Sequence, residues 1–76
     1  MTTVEFTSYT SHYDSNGHLH NETGPAKVGK GQLSVLKEWY NHGVLHREDG
    51  PAVDYPNYKA WYNHGVLVKR EYSYGH

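Results

Sequence analysis

Glu38-Trp39-Tyr40-Asn41-His42-Gly43-Val44-Leu45 returns 22 residues later as Ala60-Trp61-Tyr62-Asn63-His64-Gly65-Val66-Leu67, with seven consecutive identities. A period of this length is the signature of stacked supersecondary units, each too small to bury its own apolar face. A weaker copy lies upstream, where Tyr13-Asp14-Ser15-Asn16-Gly17-His18-Leu19-His20-Asn21-Glu22-Thr23-Gly24-Pro25-Ala26 aligns with Trp39 through Ala52 at an offset of 26. The third copy stops before any Gly-Pro-Ala, running Val68-Lys69-Arg70-Glu71 after Leu67, as an atypical terminal repeat does. The chain is thereby divided into repeats at approximately 12–37, 38–59 and 60–72 of a single domain spanning 1–76.

Each unit reads as strand, tight turn, strand, looser turn. Two geometries compete for the tight turn. A two-residue type I′ loop puts His42-Gly43 at the tip and pairs Tyr40 with Leu45, but demands positive φ from a histidine. A three-residue loop with Gly43 as a G1 bulge asks for special φ only from glycine. It pairs Trp39 with Leu45, Trp61 with Leu67 and Tyr13 with Leu19, placing the largest apolar residues on one face, and is the expected geometry. In the looser turn, Asp49-Gly50 supplies the reversal and Pro51, which cannot donate to a ladder, opens the next strand. The inserts Gly29-Lys30-Gly31-Gln32 and Tyr55-Pro56-Asn57-Tyr58 read as turns between strands.

Composition agrees. The chain of 76 residues holds eight Gly, eight Tyr, seven His and no Cys, and no segment carries apolar residues at three-four spacing. The expected fold is all-β: an antiparallel meander of seven or eight short strands, with stacked hairpin repeats forming one twisted, curved sheet. The strongly apolar residues number only sixteen, seven Val, five Leu, two Trp, one Phe and one Met. A core so thin argues against a dry catalytic cleft. Net charge of −1 with no basic run disfavours nucleic acid, and no stretch has the length of a signal peptide or membrane span. The expected protein is therefore cytoplasmic, without membrane contact and without cofactor.

The run from Glu38 through Leu45-His46-Arg47-Glu48-Asp49-Gly50-Pro51-Ala52 resembles the variant MORN-type repeats, Trp-Tyr-x-Asn-Gly-x-Leu-His-Arg-x-x-Gly-Pro-Ala, found in small proteins of bacteriophages and giant viruses. The resemblance covers residues 12 to 68. It departs at His42 and His64, which hold the Asn position before Gly, at His20-Asn21 and at Val68-Lys69. It implies hairpin repeats in one curved sheet, used mostly as a protein-binding scaffold. A related bacterial branch serves as the antitoxin of toxin–antitoxin pairs.

On this basis the expected function is non-enzymatic: a phage-encoded inhibitor of a host bacterial protein, with an antitoxin or a nucleotide-sequestering sponge as alternatives. Tyr and Arg dominate interface hot spots, so the candidate contact residues are Tyr40, Tyr62, Arg47, Tyr55, Tyr58, Lys69 and Arg70, with Tyr72 and Tyr74 as further partly exposed rings. Free strand edges at the N-terminus and at Val66 to Tyr72 make a homodimer by sheet extension a further expectation. His18, His20 and His46 have spacing that a zinc or nickel ion accepts. A structural role is the expected one, with His20 and His46 bonding the turn that follows them. The serines, Ser34 and Ser73 among them, lack any motif that activates a nucleophile.

Overall fold

The structure, a computed structural model, describes residues 2–31 and 36–72; Tyr74, Ser34, Ser73 and Gln32 of the first insert lie outside the described residues. The described residues form nine strands: β1 (Thr2–Glu5), β2 (Tyr9–Tyr13), β3 (Lys27–Gly29), β4 (Lys37–Glu38), β5 (Tyr40–Asn41), β6 (Val44–Leu45), β7 (Val53–Tyr55), β8 (Tyr58–Asn63) and β9 (Val66–Tyr72). Seven form one antiparallel sheet in the order β1-β2-β3-β4-β7-β8-β9, and β5-β6 form a separate two-stranded hairpin. The fold is the all-β meander that the repeat predicts. None of the described residues forms a helix long and apolar enough to cross a membrane.

The tight turns divide between the two candidate geometries. The first copy takes the three-residue loop: Gly17 N–H donates to the Asp14 carbonyl at 3.0 Å, Asp14 N–H to the His18 carbonyl at 2.8 Å, and Tyr13 bridges to Leu19. In the second and third copies the expectation fails. Tyr40 pairs with Leu45 and Tyr62 with Leu67, leaving two-residue loops at His42-Gly43 and His64-Gly65. Both histidines take positive φ, 49° and 50°, beside glycines at 92° and 85°, which are type I′ values. The left-handed cost at a non-glycine residue, about 1 kcal/mol, is offset by contacts with the preceding repeat.

Those contacts are the mortar between repeats. His42 N–H donates to His20 Nδ1 at 3.1 Å, and the two rings stack with centroids 4.1 Å apart. One repeat on, His64 N–H donates to His46 Nδ1 at 2.9 Å, with the rings 4.2 Å apart. Gly43 N–H reaches the Leu19 carbonyl and Gly65 N–H the Leu45 carbonyl, both at 2.8 Å. The second and third tips thus each offer two N–H groups and a ring to the repeat before them. A Cβ on Gly43 would come within 3.3 Å of His18, and one on Gly65 within 3.4 Å of Val44, so the tips touch directly.

The thin core is built differently from the expected strip of Trp39, Trp61, Tyr13, Leu19, Leu45 and Leu67. Those residues stay partly exposed, Leu67 by 42%. The buried apolar residues are small: Ala26, Ala52, Ala60 and Val53, joined by Ser11. Ala26 N–H donates to the Glu38 carbonyl and Trp39 N–H to the Ala52 carbonyl. Carrying the register one residue past Lys27–Glu38 and Glu38–Val53 sets the two alanines on either side of Trp39. The Ala of Gly-Pro-Ala is therefore small because a large ring lies across the adjacent strand. The whole molecule is a slab of 42 × 29 × 15 Å, rings closing over small residues.

The looser turns are held by one residue each, at equivalent positions. Asn21 Nδ2 donates to the Pro25 carbonyl at 3.1 Å, and Arg47 Nη1 donates to the Pro51 carbonyl at 3.1 Å. Arg47 also donates from Nε to Asp49 at 3.0 Å and lies 3.7 Å over the Trp39 ring. Its guanidinium crosses Gly50 so closely that a Cβ there would sit 2.9 Å from Cζ, whereas a Cβ on Gly24 meets nothing nearer than 3.8 Å. Gly50→Ala should therefore lower stability by about 1 kcal/mol through displacement of Arg47, or roughly 4–8 °C in Tm. Gly24→Ala should change little. Equal melting shifts for the two variants would refute this account of Gly50.

Candidate functional site

Alternation and register divide the sheet into two chemically distinct faces. Directly opposed pairs run Val4–Ser11–Lys27–Glu38–Val53–Ala60–Arg70 across the strands. Tyr9–Gly29 and Tyr55–Tyr58–Tyr72 share that face. Tyr13 joins it from β2, Tyr40 from β5 two residues beyond Glu38, and Tyr62 from β8. The opposite face carries the row Glu5–Thr10–Val28–Lys37–Asp54–Lys59–Glu71. That row is internally bonded, Thr10 Oγ1 to Glu5 at 3.1 Å and Lys59 to Asp54. One face is rich in tyrosine; the other carries the charged row together with Trp39 and Trp61.

Glu38 organises the tyrosine face. Tyr40 donates its hydroxyl to Oε1 at 2.9 Å, and Tyr55 donates to Oε2. Burial and the carboxylate together push both phenols up, Tyr55 to about 12. Neither ring is therefore an acid at neutral pH; each is an oriented, half-buried donor. Tyr58 tilts between Tyr55 and Tyr72, with centroids at 6.4 and 4.9 Å. Lys27 Nζ lies 4.5 Å from the Tyr9 centroid.

Of the seven contact residues expected from sequence, Tyr40, Tyr55, Tyr58, Tyr62 and Arg70 come together on this face. Arg47 and Lys69 do not. Lys69 is opposite Trp61, with Nζ 4.9 Å from the ring centroid and 2.9 Å from Glu71. Arg47 and Lys69 each lie eight residues after the tryptophan they cover, so the repeat alignment itself marks them as equivalent braces.

The histidines form a second cluster. His42 Nδ1 is 2.6 Å from Asp14 Oδ2, and His18 Nδ1 is 4.0 Å from the same oxygen. Asp14 Oδ1 accepts the backbone N–H groups of Asn16 and His18 at 2.9 Å. The His42 ring and these N–H groups hold the Asp14 carboxyl down at about 2. His18 and His20 border this cluster, while His46 stands one repeat away on His64. Among the described residues, no three His, Asp or Glu side chains converge as metal ligands. His20 and His46 do face the turn that follows them, with Nε2 at 3.5 Å from Glu22 and 3.7 Å from Glu48. Their Nδ1 atoms accept from the next hairpin, a link invisible until the two-residue turn is known.

Between the two looser turns lies an open cleft of about 700 Å³ bounded by His20, Glu22, Trp39, His46, Arg47 and Glu48. Asn21, Arg47 and Asp49 on its walls already hold the turns, and Tyr40 also borders it. The chain matches no family model, no curated protein and no solved structure.

Proposed function

We propose that the chain is a non-enzymatic protein-binding module whose contact surface is the tyrosine face. The observation that carries this reading is that, among the described residues, the face has no second layer. In a slab 15 Å thick, Tyr9, Tyr13, Tyr40, Tyr55, Tyr58 and Tyr62 stay half-buried and Tyr72 is exposed. Rigid rings with oriented hydroxyls bind at small entropic cost. The resemblance to phage and giant-virus repeats supports the particular role of a phage-encoded inhibitor of a bacterial defence protein in the host cytoplasm.

The test is capture from host lysate on the immobilised chain, compared across faces. Replacing Tyr58 and Tyr62 together by Ala should weaken capture of a stoichiometric partner at least tenfold, the effect of removing hot-spot rings. Lys37→Glu, on the opposite face, should leave it unchanged. Equal capture by all variants would overturn the choice of face. Recovery of a bound nucleotide in place of a protein would favour the sequestering alternative.

A further inference from the structure

The tyrosine face carries unspent charge, and its placement restricts what can bind. Lys27 and Arg70 stand in the same cross-strand row, on β3 and β9. They are four strand spacings apart, roughly 19 Å at about 4.8 Å per strand. Among the described residues, Lys30, Arg47, Lys59 and Lys69 are each paired with a carboxylate: Glu5, Asp49, Asp54 and Glu71. Among the described residues, Lys27 lies over the Tyr9 ring and makes no ion pair, and Arg70 is exposed and makes none. Glu38, the carboxylate between them, already accepts two phenol hydroxyls.

Beside Lys27 the row of rings is interrupted. Gly29 has no side chain, and the gap between Tyr9 on one side and Leu36 and Tyr55 on the other is a slot of about 210 Å³, floored by Lys27 and Glu38. A slot of that size admits one apolar side chain. Buried anchors of this kind, ringed by aromatic contacts, are where interface energy concentrates.

We propose that this face binds an extended segment of a partner protein that carries two carboxylates about 19 Å apart, with an apolar side chain next to one of them seated at Gly29. At about 3.3 Å per extended residue, 19 Å is some six residues. The segment runs across the strands from Lys27 to Arg70, over the Tyr55–Tyr58–Tyr72 rings. This rests on the protein-binding reading above and names the partner's chemistry.

The probe is a random peptide library displayed in excess over the immobilised chain at low salt. Selection should enrich peptides with two Asp or Glu about six residues apart and a Leu, Met or Phe beside one of them. Arg70→Glu and Lys27→Glu should each weaken the selected peptides about tenfold at low salt and less at high salt, since exposed charge pairs are screened. Lys37→Glu should not. Arg70 is exposed on the last strand, so its variant decides the matter if Lys27→Glu melts early. Enrichment of basic or uncharged peptides, no enrichment over the bare support, or binding indifferent to Arg70→Glu would each overturn the proposal. Capture of a whole protein that is sensitive to Tyr58 and Tyr62 but not to Arg70 would retain the protein-binding reading and remove only the acidic segment.

Discussion

Asp14→Ala should lower the melting temperature by on the order of 10 °C, an outsized effect for one buried carboxylate in a hairpin turn. The reason is that one carboxylate serves two hairpins. Oδ1 accepts the Asn16 and His18 N–H groups and closes the first tip; Oδ2 holds the His42 ring of the second. Asn16 is the counterpart of His42, whose own N–H is taken by His20 in the repeat before it. Among the described residues no repeat tip stacks before the first, the β1–β2 turn being no copy of it, so Asp14 supplies the acceptor that a preceding repeat otherwise provides. It caps the stack.

The same carboxylate gives a pH signature. Its folded value of about 2 lies below the ordinary 3.8, so its contribution is fully present above about pH 4 and is lost as pH falls toward 2. Thermal melts followed by circular dichroism should show the wild type losing stability across that window more steeply than Asp14→Asn, which retains an acceptor oxygen but cannot titrate. A wild-type melt at neutral pH within 2 °C of Asp14→Ala, or parallel acid profiles for wild type and Asp14→Asn, would rule out the keystone role.

The repeat made the meander, the strand edges and the hairpin positions legible, because identical strings 22 residues apart must adopt the same local structure. The turn type was not legible, and the cause is specific. Intrinsic preference puts a penalty on positive φ at His42 and His64, and nothing local offsets it. The compensation is non-local: it comes from His20 and His46, 22 and 18 residues away in sequence. Once Tyr40, not Trp39, is paired with Leu45, the face assignment near the tips changes, and with it the expected core. The small residues that are buried, Ala26, Ala52, Ala60 and Ser11, carry no hydropathic signal by which to find them.

The site was legible in the same uneven way. Tyr40, Tyr55, Tyr58 and Tyr62 could be picked from composition as contact rings, but the sheet face they share could not. Lys69 and Arg70 could not be separated from one another by residue type, though adjacency on a strand sends them to opposite faces. Glu38 gave no signal, because its role depends on the two phenols that meet it from β5 and β7. The edges also carry their own protection. β9 has a register shift opposite Trp61/Tyr62 and the charged run Lys69-Arg70-Glu71, both devices that blunt strand addition.

The second large effect is expected from the double variant His20→Ala/His46→Ala, which removes the acceptor and the stacking ring at both junctions between repeats. Each substitution deletes one hydrogen bond to a backbone N–H and one ring contact, about 1–2 kcal/mol per junction. The junctions share no partner, so the losses should add to about 2–4 kcal/mol. The two halves should nevertheless fail differently. With His20 gone, His42 is still gripped by Asp14; with His46 gone, His64 has no comparable second anchor among the described residues, because Tyr40 stands where a second Asp14 would be. Hydrogen exchange should therefore show the His64 and Gly65 amides opening far faster in His46→Ala, while the His42 and Gly43 amides in His20→Ala remain partly protected until Asp14 is also replaced. Equal protection loss at both tips would mean that Asp14 does not back up His20, and a double variant as stable as the wild type would mean that the histidines do not join the repeats.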